Sequence, residues 1–309
     1  MFYCDVQCQK RDWRYHKHEC KLLTNLNLDE LKSDCYRFTL RLWLLLTGKQ
    51  EIRDKQYVLF NAKTRCFNDL KTHVDEVKKD EKRMKFFDKM CMRFESWGIE
   101  FDKEDLFMIF CRICINSFSI LNEDLNEIGT ALYIQASVFD HSCVPNAVPV
   151  FNGINLQIRA LKRINDDEEI CINYIDLKMN RNIRHEKLME QYYFECNCLK
   201  CETNSDAEID YAKVKDFDQQ FDKLISDGND WYQAYHVGID TVPLYKLIYG
   251  DFHPDLTVQL IRIVKVVLLI DDIIDRNEII SLITKSEKSL RITHGINHSL
   301  YKMFKNQIT

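Results

Sequence analysis

Three cysteines within six residues, Cys196-x-Cys198-x-x-Cys201, constrain this chain more than any other feature in it. Reduced thiols at that density supply three corners of a zinc tetrahedron, so the fold must bring a fourth ligand from elsewhere. Cys143, in Asp140-His141-Ser142-Cys143-Val144-Pro145-Asn146, is the natural fourth, because its His, Ser, Pro and Asn neighbours mark a tight polar loop. A centre closed by four protein ligands is structural and has no position for a bound water. A second group, Cys4, Cys8, His16 and Cys20, opens the chain. No apolar leader-like run follows Met1, so the cysteines are expected as reduced metal ligands rather than as a disulfide framework. Cys111 and Cys114 form a CxxC, but inside the apolar run from Leu106 to Ile115 they read as buried core thiols.

The pattern along the chain predicts an α+β fold. From about Asp29 to Ile120 apolar residues recur at helical spacing, with a charged, solvated stretch from Lys71 to Lys85. From Gly129 the texture changes to short strand-like pieces, Ala131–Ile134, Val148–Phe151, Leu156–Ala160 and Glu169–Tyr174. Asn152-Gly153 between two of them is a strong hairpin signal. After Cys201 the pattern is helical again. Two segments there resemble each other, Gly250-Asp251-Phe252-His253-Pro254 and Gly295-Ile296-Asn297-His298-Ser299, each opening a predicted helix, which suits a helical repeat array. A formal charge of −5 gives no strong nucleic-acid signal, and no apolar run is long enough for a membrane span.

Three strings together resemble the SET-domain lysine methyltransferases. Phe139-Asp140-His141-Ser142-Cys143-Val144-Pro145-Asn146 is similar to their NHSCxPN motif. Glu168-Glu169-Ile170-Cys171-Ile172-Asn173-Tyr174 is similar to their acidic turn, strand and tyrosine. Gln191 to Cys201 looks like the post-SET zinc loop. Tyr3-Cys4-x3-Cys8-x7-His16-x3-Cys20, with Trp13 between, resembles the second half of a MYND zinc finger, and the combination points to the SMYD family.

The resemblance implies four regions: 1–20 a partial MYND finger, 21–190 a SET core with a helical insert, 191–203 the post-SET zinc loop, and 204–309 an all-α TPR-like domain. It implies S-adenosylmethionine and zinc as cofactors and lysine-bearing proteins, histone or non-histone, as substrates. Peptide partners of the MYND and TPR-like regions, and residence in cytoplasm and nucleus, follow from the same likeness. Residue by residue, Tyr174 matches the tyrosine of the methyl-transfer channel. Asn116, Ser137, Asp140, His141, Tyr174, Phe194 and Tyr57 match the cofactor pocket, and Phe118 and Tyr192 match walls of the lysine channel. Cys143, Cys196, Cys198 and Cys201 match the post-SET zinc ligands, and Cys4, Cys8, His16 and Cys20 match MYND ligands drawn from two interleaved sites.

The sequence departs from that family in three places. The MYND pattern is half present, which predicts a loosely held segment over residues 1–20. No G-x-G occurs anywhere, so the N-terminal SET strands with their glycine-bearing cofactor loop are read as missing from a truncated chain. Asp140 stands where the family has Asn, and Asn165-Asp166-Asp167 replaces a glycine-containing turn. The competing reading is an inactive chain that serves as a non-catalytic, zinc-containing interaction module.

Overall fold

A computed structural model describes residues 3–24, 34–270 and 274–308. The chain divides into two compact units, one of residues 1–119 and 129–138, the other of residues 120–128 and 139–309.

The first unit is mainly helical: α1 (Val6–His16), α2 (Cys20–Leu23), α3 (Asp34–Leu46), α4 (Gln50–Arg53), α5 (Val74–Lys79), α6 (Glu81–Ser96) and α7 (Lys103–Asn116). Its core is apolar spacing turned inward. Leu40, Trp43 and Leu46 of α3, Phe87, Met90 and Phe94 of α6, and Leu106, Ile109 and Phe110 of α7 are all buried. The Phe87 ring meets Phe107 edge-on at 5.0 Å, an arrangement that adds to simple burial. Asp102 caps α7 by accepting the Asp105 N–H at 2.7 Å. Cys111 is fully buried, as expected, and burial pushes its thiol up to about 11.

Two features of this unit differ from the sequence reading. The helical stretch is interrupted by a short antiparallel pair, β1 (Tyr57–Val58) and β2 (Thr64–Arg65). In the segment 1–20, expected to be loosely held, the described residues carry α1 and the start of α2, and side chains of α3 bind them. Arg41 of α3 donates to Asp12 at 3.0 Å and to buried Glu19, and His16 meets the same Glu19 carboxylate at 2.9 Å. Burial works against the Glu19 charge, but Arg41 and His16 hold its carboxyl below the ordinary value.

Strands β3 (Ser117–Leu121) and β4 (Glu127–Leu132) lie where the division falls. The second unit then contains β5 (Asp140–His141), β6 (Ala147–Asn152), β7 (Asn155–Ala160) and β8 (Cys171–Ile172). The Asn152-Gly153 signal is realised: β6 and β7 pair antiparallel from Ala147↔Ala160 to Asn152↔Asn155, with Gly153 at φ 61°. β5 and β8 pair in parallel, Asp140 with Cys171 and His141 with Ile172. Helices α8 (Arg181–Tyr192), α9 (Leu199–Thr203), α10 (Tyr211–Asp227), α11 (Trp231–Tyr249), α12 (Pro254–Val267), α13 (Arg276–Thr293) and α14 (Ser299–Ile308) complete it. α12 is apolar almost all round and is the buried centre of the tail, with Leu256, Ile261, Ile263 and Val264 at 2% exposure or less. Gly238 lets α10, α11 and α12 close up, since a Cβ there would stand 2.8 Å from both Phe221 and Ile263. Among the described residues no helix is long and apolar enough to cross a membrane.

Candidate functional site

The polar loop after β5 is fastened by Asn146. Its amide donates to the Glu168 carboxylate at 3.1 Å and the Glu169 carbonyl at 2.7 Å, and its Oδ1 accepts the Cys171 N–H at 2.9 Å. One buried side chain thus sets the register of β5 against β8. That pairing places His141 and Tyr174 together, with ring centroids 5.4 Å apart. At the end of α8, Tyr193 adopts a left-handed conformation (φ 61°), uncommon for a bulky residue, and its N–H closes on the Met189 carbonyl. This turn brings Tyr192 to 4.9 Å from the Tyr174 ring and Phe194 to 6.4 Å, edge-on. The Tyr174 hydroxyl donates to the Phe139 carbonyl at 2.6 Å.

The same chain reversal gathers Cys143, Cys196, Cys198 and Cys201, whose sulfurs all lie within 4.8 Å of one another. Cys143 is 3.9 Å from Cys196 and 3.6 Å from Cys201. Sulfurs around a tetrahedral zinc at Zn–S near 2.3 Å stand about 3.8 Å apart, so the four thiols fit that ion. Hydrogen bonding from Cys143 and Cys196 drives the Cys198 thiol far below its ordinary value, while the bonds to Cys196 and Cys198 push Cys143 up. Without a cation the cluster cannot hold four charges; a divalent ion removes that conflict.

His141 joins the thiols to the tyrosine. Its Nδ1 accepts the Tyr174 N–H at 3.0 Å, and Nε2 lies 3.3 Å from the Cys143 sulfur, so the ring is neutral with its proton on Nε2. Burial lowers its pKa to about 4, which keeps it so at neutral pH.

Behind the thiols is a charged group with no signature in the local sequence pattern. Arg184 of α8, fully buried, donates to the Asp206 carboxylate at 2.5 Å and approaches the Cys201 sulfur at 3.8 Å. Tyr211 and Lys200 close on the same carboxylate, and Lys200 also donates to the Ile248 carbonyl at the end of α11. The zinc loop is thereby bolted to α8, α10 and α11. Arg184→Met should destabilise the second unit by about 3 kcal/mol, since it takes the guanidinium from the buried Asp206 carboxylate and leaves only Tyr211 and Lys200 to hold it. Denaturant melts check this, and Arg184→Met combined with Asp206→Leu should recover much of the loss.

The remaining predicted residues are placed individually. Asp140 is exposed in β5. Asn116 is buried at the end of α7 and donates to the Lys71 and Arg112 carbonyls, both at 2.8 Å. Ser137 donates to the Ile134 carbonyl at 2.9 Å. Phe118 packs edge-on against Tyr133 at 5.9 Å, and Tyr57 in β1 carries the Lys55 ammonium 5.3 Å from its ring centre. Asn116, Ser137, Phe118 and Tyr57 belong to the first unit, while Asp140, His141, Tyr174, Tyr192 and Phe194 belong to the second. At the N-terminus Cys4, Asp5 and Cys8 gather, with the two sulfurs 2.7 Å apart. His16 turns to Glu19, and Cys20 opens α2.

The SET domain family matches residues 3–175. Mouse "N-lysine methyltransferase SMYD2" is 31% identical over 216 residues, covering 69% of this chain and 48% of that protein. Human "Histone-lysine N-methyltransferase SMYD3" is 33% identical over 217 residues, covering 67% of this chain and 48% of that protein. The chain therefore spans about half the length of the curated relatives it matches. With the SET match over more than half of its residues, this chain belongs to the SET-domain family, and the relatives it resembles are SMYD proteins.

Proposed function

We propose that the chain is a protein-lysine N-methyltransferase that transfers a methyl group from S-adenosylmethionine to lysines of histone or non-histone proteins. The observation that carries this reading is the Tyr174 hydroxyl, fixed on the Phe139 carbonyl among the rings of His141, Tyr192 and Phe194. When bound, the cofactor supplies an electrophilic sulfonium methyl. Tyr174 presents an oxygen acceptor that orients a neutral lysine amine for attack in line with that methyl, an effect of positioning. Phe118 and Tyr192 would offer aromatic faces suited to a cationic methylated ammonium. By the family resemblance Asn116, Ser137, Asp140, His141, Tyr174, Phe194 and Tyr57 are assigned to the cofactor, and Phe118 with Tyr192 to the lysine channel.

The finer assignments rest on the same likeness. Residues 191–203 act as the post-SET loop with one structural zinc, 204–309 as a TPR-like domain that receives peptides, and 1–20 as part of a MYND finger. Work in cytoplasm and nucleus is proposed with them. Transfer of labelled methyl from S-adenosylmethionine to a histone or mixed-protein substrate tests the function. Failure of a zinc-loaded, folded protein to bind S-adenosylmethionine or its demethylated product in calorimetry would favour the non-catalytic module instead.

Asp140 offers a smaller test. On this proposal the side chain lies near the cofactor's ammonium, with which a carboxylate oxygen can pair as an Asn amide oxygen can. Asp140→Asn should therefore change cofactor affinity by about tenfold or less, or roughly 1.4 kcal/mol, in a calorimetric titration.

A further inference from the structure

The two Gly-x-x-His segments of the tail do the same job twice. Gly250 and Gly295 both take positive φ, 81° and 84°. His253 then caps α12, its Nδ1 accepting the Asp255 N–H at 3.3 Å, and its Nε2 lies 3.5 Å from the Asn173 side-chain oxygen, next to Tyr174. His298 caps α14, its Nδ1 accepting the Leu300 N–H at 3.1 Å, and its Nε2 donates to the Phe151 carbonyl of β6 at 2.8 Å. Each histidine starts a tail helix with one nitrogen and reaches the β-rich part with the other.

The second copy is reinforced. Arg159 of β7 donates to the Ile292 carbonyl at 3.0 Å and the Arg291 carbonyl at 3.1 Å, where the C-terminal end of α13 favours a cation. Gly295 makes room for it, since a Cβ there would stand 2.7 Å from the guanidinium. The His298 bonds demand one tautomer. A carbonyl partner requires a proton on Nε2, and an N–H partner requires a bare Nδ1. A second proton would sit against the Leu300 N–H and break the cap.

We propose that Gly295–His298 and Arg159 form a proton-sensitive clasp that fastens α14 and the end of α13 to the β6–β7 hairpin and opens as pH falls. The groups facing His298 are Arg159 from β7, Glu123 through Ser299, and the His294 ring at 4.8 Å, itself bonded to Thr293. Burial lowers the His298 pKa from 6.5, which Arg159 reinforces, against weaker pulls from the Phe151 carbonyl and Glu123. Stabilisation from such a group is complete above the unfolded value and is lost as pH drops below it. His294, buried and lowered to about 3, shifts the same way.

Hydrogen exchange on the whole zinc-loaded chain, corrected for intrinsic rates, tests the clasp. Protection of residues 147–160 and 299–308 should fall about tenfold between about pH 7.5 and 5.5, while α6 and α7 change little. His298→Asn keeps a capping acceptor but cannot reach Phe151, so it should be open already at neutral pH. His298→Gln reaches as far as Nε2 and cannot be protonated, so it should stay closed and shrink the pH step. The proposal is overturned if His298→Gln shows the full wild-type step, or if His298→Asn keeps wild-type protection. Wild-type protection falling evenly across α6, α7 and the tail would overturn it as well.

Discussion

Replacing Tyr174 by Phe is expected to leave cofactor binding within about threefold while turnover falls roughly a hundredfold to a thousandfold, the range for losing one preorganised polar group at a reacting centre. The ring keeps its contacts with Tyr192, Phe194 and His141, and its N–H keeps His141, so the fold around it should stand. Only the hydroxyl on the Phe139 carbonyl is lost. If that oxygen orients the amine, its loss appears in kcat and equally in kcat/KM, the mark of an interaction made in the transition state. Single-turnover transfer and calorimetry on the same preparation separate the two quantities. Normal turnover in the variant would remove Tyr174 from the reaction and leave it as a packed strand-end residue.

Cys198→Ser should lose the metal and much of the second unit's stability together. Zinc held by four thiolates contributes on the order of 10 kcal/mol where the site forms only on folding, so the loss of one ligand costs several. Here the cost spreads further. Cys143 would be left beside Cys196 and Cys201 without a cation, and His141, which rests on Cys143, holds the Tyr174 backbone. Metal analysis should find one zinc per chain in the parent protein and much less in the variant, with a lower melting temperature. Cys91→Ser, at a buried thiol of the first unit, should keep the zinc. A well-folded parent protein without zinc would refute the ligand assignment.

Much of this was legible because it rests on local chemistry. Asn152-Gly153 sets its hairpin by turn geometry alone, and thiols spaced two and three apart converge whatever the rest of the chain does. Cys143 was legible through the loop residues around it, and Asn146 in that string proved to be the fastener of β5 and β8. What stayed hidden depends on distant partners. Arg184, Lys200 and Asp206 look in sequence like a solvated face, because burial of a charge is set by tertiary packing. β1 and β2, two residues each, carry too little alternation to show inside a helical pattern. Residues 1–20 read as loosely held from their half-set of metal ligands. Their order comes from Arg37 and Arg41 on α3, a pairing that no local rule reveals.

The ligand set also has an uneven topology. Cys196, Cys198 and Cys201 are neighbours along the chain, whereas Cys143 is 53 residues from Cys196. An unfolded chain can therefore claim the ion early with a three-toothed local claw, and the last tooth waits on a long loop. Closing a loop of that length costs roughly 3–4 kcal/mol of chain entropy, which the fourth metal–sulfur bond must offset. The intervening segment contains β5's partner and the whole β6–β7 hairpin, so pairing of those strands shortens the loop that the fourth bond must close. A chain whose hairpin has mispaired would carry a loosely held, chelator-labile ion, and a correctly built one would not.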